Sequence, residues 1–218
     1  MGSKRTAVTY TGRPMSRKLL SAEPDPQDPE IRDVLRAVRT ILSYIGEDPD
    51  REGLKDTPRR VVKAMAEHFS GYAADPEEPM QRTFSEIAGY DEMVLLSDME
   101  FHSHCEHHMV PFVGKAHIAY IPDGKVVGLS KLARVVEIFS KRLQVQEKLT
   151  AQVADAIQRN LKPRGVAVVV QARHYCMCYR GVQQSMAWTT TSKLTGEFLD
   201  NPATRDEFYK LIAMKKTY

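Results

Sequence analysis

The periodicities along this chain predict an α+β fold: an antiparallel sheet with two helices packed on one face, preceded by an N-terminal helical region. Three observations carry it. Apolar residues first recur at helical spacing, later alternate at strand spacing, and the second half runs strands, two helices, strands.

Residues 1–27 read as a disordered tail, since AEPDPQDPE sets prolines and acids where a packed core needs apolar side chains. A helical region follows over residues 28–90 and the sheet-bearing core over 91–218. Ile31, Val34, Leu35, Val38, Ile41, Leu42 and Ile45 form one apolar helical stripe, which GEDPDREG ends. Asp56 or Thr57 caps the next helix, Pro58 suits its first turn, and Val61, Val62, Met65 and Phe69 form its stripe.

The stretches Met93–Leu96 and Met99–His104 read as strands, and Lys115–Ile121 alternates cleanly up to the turn Pro122-Asp123-Gly124. Ser130 reads as a helix N-cap ahead of Leu132, Val135, Val136 and Phe139. A second core helix runs from Val145 to Leu161, broken by Pro163-Arg164-Gly165. Val166–Cys178 then reads as one long strand, Ser185–Ser192 as the last strand, and Thr204–Met214 as a terminal helix.

The 218 residues are 42% apolar, and 31 basic against 28 acidic side chains leave a net charge of +3. That gives no basic footprint for nucleic acid but allows a local pocket for one anionic ligand. No apolar run is long enough for a membrane span or a secretory signal, so a cytoplasmic location is the expectation. Three cysteines make an odd count, which argues against a disulfide framework and toward metal or catalytic use.

Four of the seven histidines fall within Phe101–His108. Cys105-Glu106-His107-His108 sets a thiolate and an imidazole in C-x-x-H spacing, which a tight turn can aim at one metal ion. His174 and Cys176, two apart on the expected strand, face that site together. Three readings stay open on spacing alone. Cys105, His108 and Cys176 make a three-ligand zinc site with a position left for water, or Cys178 joins them in a closed structural site, or the cysteines bind no metal and the histidines are ordinary surface residues. In the first reading His107 and His174 are imidazoles available for proton transfer. Arg60 with Lys63, and Lys131 with Arg134, place paired cations near helix starts, where backbone N–H groups also attract anions. An ordinary solvated face is the simpler reading of each pair. Gln146-Glu147 opens a helix, where a carboxylate is favoured by the macrodipole.

Cys105-Glu106-His107-His108, Gly128-Leu129-Ser130-Lys131, Gln144-Val145-Gln146-Glu147, His174-Tyr175-Cys176 with Arg180-Gly181, and Thr57-Pro58-Arg59-Arg60-Val61-Val62-Lys63 occur in the order seen in GTP cyclohydrolase I. The chain resembles that family from residue 30 to residue 215. The resemblance implies the tunnelling fold, and conversion of GTP to 7,8-dihydroneopterin triphosphate and formate. It implies one Zn²⁺ per subunit on Cys105, His108 and Cys176, with His107 and His174 moving protons. Gln146 and Glu147 match the guanine-recognising pair, Ser130, Lys131, Arg134 and Arg180 the ribose and triphosphate contacts, and Arg60 and Lys63 further phosphate contacts. It also implies a homodecamer of two stacked pentamers, with pockets built between subunits and no nucleic-acid or membrane partner. Leu143 departs from the proline that many members carry there, and Cys178 is an added thiol. A GTP-binding regulatory protein of the same fold with structural zinc is the rival, separated by whether formate is released.

Overall fold

A computed structural model describes residues 25–214. The chain divides after Lys63 into two compact units. The tail expected over residues 1–27 lies outside the described residues as far as residue 24.

In the first unit, α1 spans Pro29–Tyr44, with proline in its first turn and the Asp28 side chain accepting from the Glu30 N–H. Its apolar stripe is covered only in part. Ile31 and Val38 are buried, whereas Ile41, Tyr44 and Ile45 are exposed. Helix α2, Thr57–His68, begins in this unit.

The second unit is built on a five-stranded sheet of order β5-β2-β3-β6-β7. Its strands are β2 (Val94–Cys105), β3 (Pro111–Ile121), β5 (Leu143–Gln144), β6 (Gly165–His174) and β7 (Thr189–Leu194). Neighbours run antiparallel except β2 and β5, which pair in parallel at His104–Leu143 and Cys105–Gln144. A two-residue ladder joins β1 (Thr83–Phe84) to β4 (Val126–Val127).

Helices α3 (Leu129–Ser140) and α4 (Gln146–Leu161) cover one face. Leu132, Val135, Val136, Leu149, Val153 and Ile157 meet Ile118, Tyr120, Val168 and Val170 there, all of them buried. Burial of each such side chain contributes roughly 1.5–3 kcal/mol, which fixes the helices on the sheet. The opposite face is covered over one end. There α6 (Glu197–Asp200) and α7 (Pro202–Ala213) bring Phe198 and Phe208 onto Ala119, Ile121, Ala167 and Val169.

Four local expectations are corrected. The two strands expected over Met93–His104 are one strand, because the break between Leu96 and Met99 is a β-bulge. Asp98 there takes φ 58°, and its N–H donates to His117 Nδ1 at 3.2 Å. Gly128, not Ser130, is the N-cap of α3. The strand expected to reach Cys178 stops at His174, and Tyr175–Cys178 coils into a helical turn, α5. The last strand begins at Thr189, leaving residues 181–188 as an exposed loop.

Candidate metal centre and active site

Cys105 is the last residue of β2, and the chain turns back into β3 within five residues. Cys105 itself closes that turn: its N–H donates to Val110 O at 2.9 Å, and its carbonyl accepts from Met109 N–H at 2.8 Å. Met109 adopts the left-handed conformation, φ 55°, that so tight a reversal requires. Glu106 N–H donates to Gln144 O at 3.0 Å, pinning the turn to β5. The turn therefore holds the Cys105 thiol inside while presenting His107 and His108 at the surface. Cys105 Sγ lies 3.8 Å from His107 Nδ1 and 3.9 Å from His108 Nδ1.

Cys176 arrives from the other side, on α5. Its thiol joins Cys105 and His108 in a group whose ligand atoms all lie within 4.8 Å of one another, a group that could hold a metal ion. Burial pushes the Cys176 thiol up from its ordinary pKa, and the neighbouring Cys105 thiol pushes it further. Two thiols crowded in this way favour a cation between them, because a metal exchanges for their protons and offsets the repulsion of two thiolates.

The helical turn changes how Cys176 reaches the site. Strand alternation would have put Cys178 beside it, but Cys178 is buried away from the group with Sγ 3.9 Å from Ser185 O. The closed four-ligand arrangement is thus not formed by the described residues.

His174 stacks on Phe112 with ring centroids 4.6 Å apart and planes 5° from parallel. Its Nε2 lies 2.8 Å from Gln146 Oε1. Burial holds its pKa below the ordinary histidine value, and the Glu147 carboxylate partly offsets this. Glu147 is exposed in the first turn of α4. Glu106 is paired instead with Lys148, 2.7 Å away.

Gln146 does not behave as expected of a purine-edge ligand. It is 1% exposed, and its amide nitrogen is within hydrogen-bond reach of Val170 O at 2.9 Å, Thr189 O at 3.0 Å and Thr191 Oγ1 at 3.2 Å. Both ends of the side-chain amide have partners inside the fold. Only burial and the partners of β6 and β7 reveal this, and neither is visible in sequence spacing.

Among the expected anion contacts, Arg180 comes to the metal group, its Nη1 donating to His108 Nε2 at 3.0 Å. Ser130, Lys131 and Arg134 lie on the first turns of α3, and Arg134 lines a groove with Glu100 and His102 of β2, Glu137 of α3 and Lys141 just after it. Arg60 and Lys63 belong to the first unit, where Arg60 pairs with Asp56 at 3.5 Å. His104 was not singled out for the site. It is a buried residue of β2, its ring 4.6 Å from His68, the last residue of α2, and 5.2 Å from Phe69.

The family model for GTP cyclohydrolase I matches residues 34–213. The chain is similar to GTP cyclohydrolase 1 of Brucella suis, strain ATCC 23445 / NCTC 10510, at 58% identity over 81% of this chain and 83% of that one. It is similar to GTP cyclohydrolase 1 of Brucella canis at 57% identity over the same shares. The apo archaeosine synthase QueF-Like structure aligns with 48% of this chain and 93% of its own at 17% identity and a TM-score of 0.40, too low to carry an argument. The chain belongs to the GTP cyclohydrolase I family and is an enzyme of that family.

Proposed function

We propose that this enzyme converts GTP to 7,8-dihydroneopterin triphosphate and formate, the first step of pterin synthesis, with one zinc ion held by Cys105, His108 and Cys176. The single observation that carries the reading is the convergence of two thiols and an imidazole within 4.8 Å in a chain of this family. Cys105, His108 and Cys176 are a donor set of thiols and an imidazole that zinc favours. Held by these three residues, zinc would supply Lewis-acid activation of water near neutral pH.

The remaining chemistry is proton transfer and positioning. Opening the guanine imidazole ring at C8, releasing formate and closing a new ring each require protons to arrive and leave at nitrogen and oxygen. His107, exposed on the turn next to Cys105, and His174, whose pKa burial holds below the ordinary histidine value, are the residues assigned to that proton transfer. Glu147 presents a carboxylate at the head of α4, suited to accept from the N1 and N2 donors of a guanine edge. Arg180, beside His108, is placed to bind phosphate or ribose oxygens.

Ser130, Lys131, Arg134, Arg60 and Lys63 are assigned to triphosphate binding in a site shared between copies, within a homodecamer of two pentamers. Exposed apolar surface supports such assembly: Ile41, Tyr44 and Ile45 on α1, and Tyr179, Val182, Met186 and Trp188 around the loop beyond α5. Strand β7 is also a sheet edge in the chain by itself. No helix among the described residues is long and apolar enough to cross a membrane. The proposed location is the cytoplasm.

The test is purified protein with GTP, following formate release and the fluorescence of the oxidised pterin, before and after chelation and zinc readdition. GTP binding without formate release would sink the reading and favour a regulatory GTP-binding protein.

A further inference from the structure

The hydrogen bonds around Gln146 leave little freedom in where their protons sit. Val170 O and Thr189 O are carbonyl oxygens and can only accept. The NH₂ end of the Gln146 amide must therefore face them, since a flipped amide would set its oxygen against two other oxygens. Thr150 Oγ1 has one proton, which it donates to Gln146 O at 2.8 Å. Of the two hydroxyls 2.7 Å apart, Thr191 must then donate to Thr150, which leaves Thr191 Oγ1 as an acceptor for the Gln146 amide. The two carbonyls demand this amide orientation and can take its two N–H protons, and the Thr191 contact is consistent with it.

That orientation points Gln146 Oε1, a pure acceptor, at His174 Nε2 across 2.8 Å. The nitrogen opposite it must carry a proton. In the neutral ring the lone pair is consequently on Nδ1. Phe112, 0% exposed and stacked 4.6 Å beneath the imidazole, fixes the plane of the ring in which this hydrogen bond lies.

We infer that Gln146 is a positioning residue that fixes the His174 ring in its Nε2–H tautomer, leaving Nδ1 as the nitrogen without a proton in the neutral ring. The residue acts through His174 rather than on substrate, and the kinetic arm of its test rests on the proposed role of His174. The latch joins three elements: Gln146 and Thr150 from α4, Val170 and His174 from β6, and Thr189 and Thr191 from β7.

The tautomer is read directly by neutron diffraction from deuterated, zinc-loaded protein at pH 8. Deuterium on Nε2 and none on Nδ1 of His174 is expected. Deuterium on Nδ1, alone or together with Nε2, overturns the inference. This readout needs no turnover, so it stands or falls apart from the GTP reaction. A kinetic arm uses Gln146→Leu, which removes the latch but keeps an apolar filling of similar length. If Gln146 positions His174, kcat falls about 10- to 100-fold while KM for GTP changes less than about threefold. A raised KM with unchanged kcat would return Gln146 to the substrate edge and overturn the positioning role. Should Gln146→Leu fail to fold, the neutron result on the native protein decides.

Discussion

The turn carrying Cys105, His107 and His108 and the latch carrying Gln146 sit at opposite edges of the same strand pair, β3 with β6, yet they are finished differently. In the turn, the backbone is satisfied by Val110, Met109 and Gln144 while the imidazoles stay at the surface, held by contacts to the Cys105 thiol and to Arg180. His107 and His108 are exposed, and the Cys176 thiol is crowded into a state that a cation relieves. In the latch the reverse holds, with the side-chain amide of Gln146 buried and given partners at both ends. Groups that react must keep unsatisfied capacity, and groups that orient must have none left. A residue type alone does not say which it is.

This contrast can be broken by substitution, beginning with the metal group. Cys176→Ser should carry the largest effect. Bound zinc should drop from about one per chain toward zero and formate release to background, while far-UV circular dichroism stays native. Retained stoichiometric zinc would show that the ligand set is different. His107→Ala should come next, with kcat lower by about 10²- to 10⁴-fold and zinc content unchanged by metal analysis. Full turnover would remove His107 from proton transfer.

Glu147→Gln removes the charge but keeps the shape, and charge-assisted hydrogen bonds contribute about 1.5–3 kcal/mol. Steady-state kinetics should show kcat/KM for GTP falling by about 10- to 100-fold. An unchanged value would leave the guanine edge to other groups.

The smallest effect concerns the strand that feeds the turn. Burial, then His68 and His102, hold the His104 pKa below its ordinary 6.5. The unfolded chain therefore binds that proton more readily, so His104 costs stability as pH falls through about 6.5 and costs nothing well above it. His104→Phe keeps the ring against Phe69 and removes the titration. Between pH 7 and pH 5 the Tm of the variant should fall less than that of the native enzyme, by a few degrees at most. Identical slopes would show that other groups govern the acid sensitivity.

Much of the site is legible in the linear chain because it depends on short spacings. C-x-x-H needs only a tight turn to aim two ligands together, and the strand end at Cys105 supplies one. Helix stripes and the alternation of β3 depend on local periodicity and reappear in the core at Leu132, Val153, Ile118 and Tyr120. The bulge at Asp98 was missed because an interruption in alternation looks the same whether the strand ends or swells. Only the ladder with β3 resumes the register after it.

By itself, the sequence determined the α+β order and the family, and it brought out Cys105, His108 and Cys176, with or without Cys178, as candidate metal ligands. These rest on periods and spacings that neighbours along the chain impose on one another. Tertiary structure decided that Cys176 sits on a helical turn, so that Cys178 is carried away from the metal group toward Ser185. It also decided that Gln146 faces His174 instead of solvent. The second outcome depends on backbone carbonyls of β6 and β7 more than twenty residues distant, which become hydrogen-bond partners only once the sheet has closed on α4.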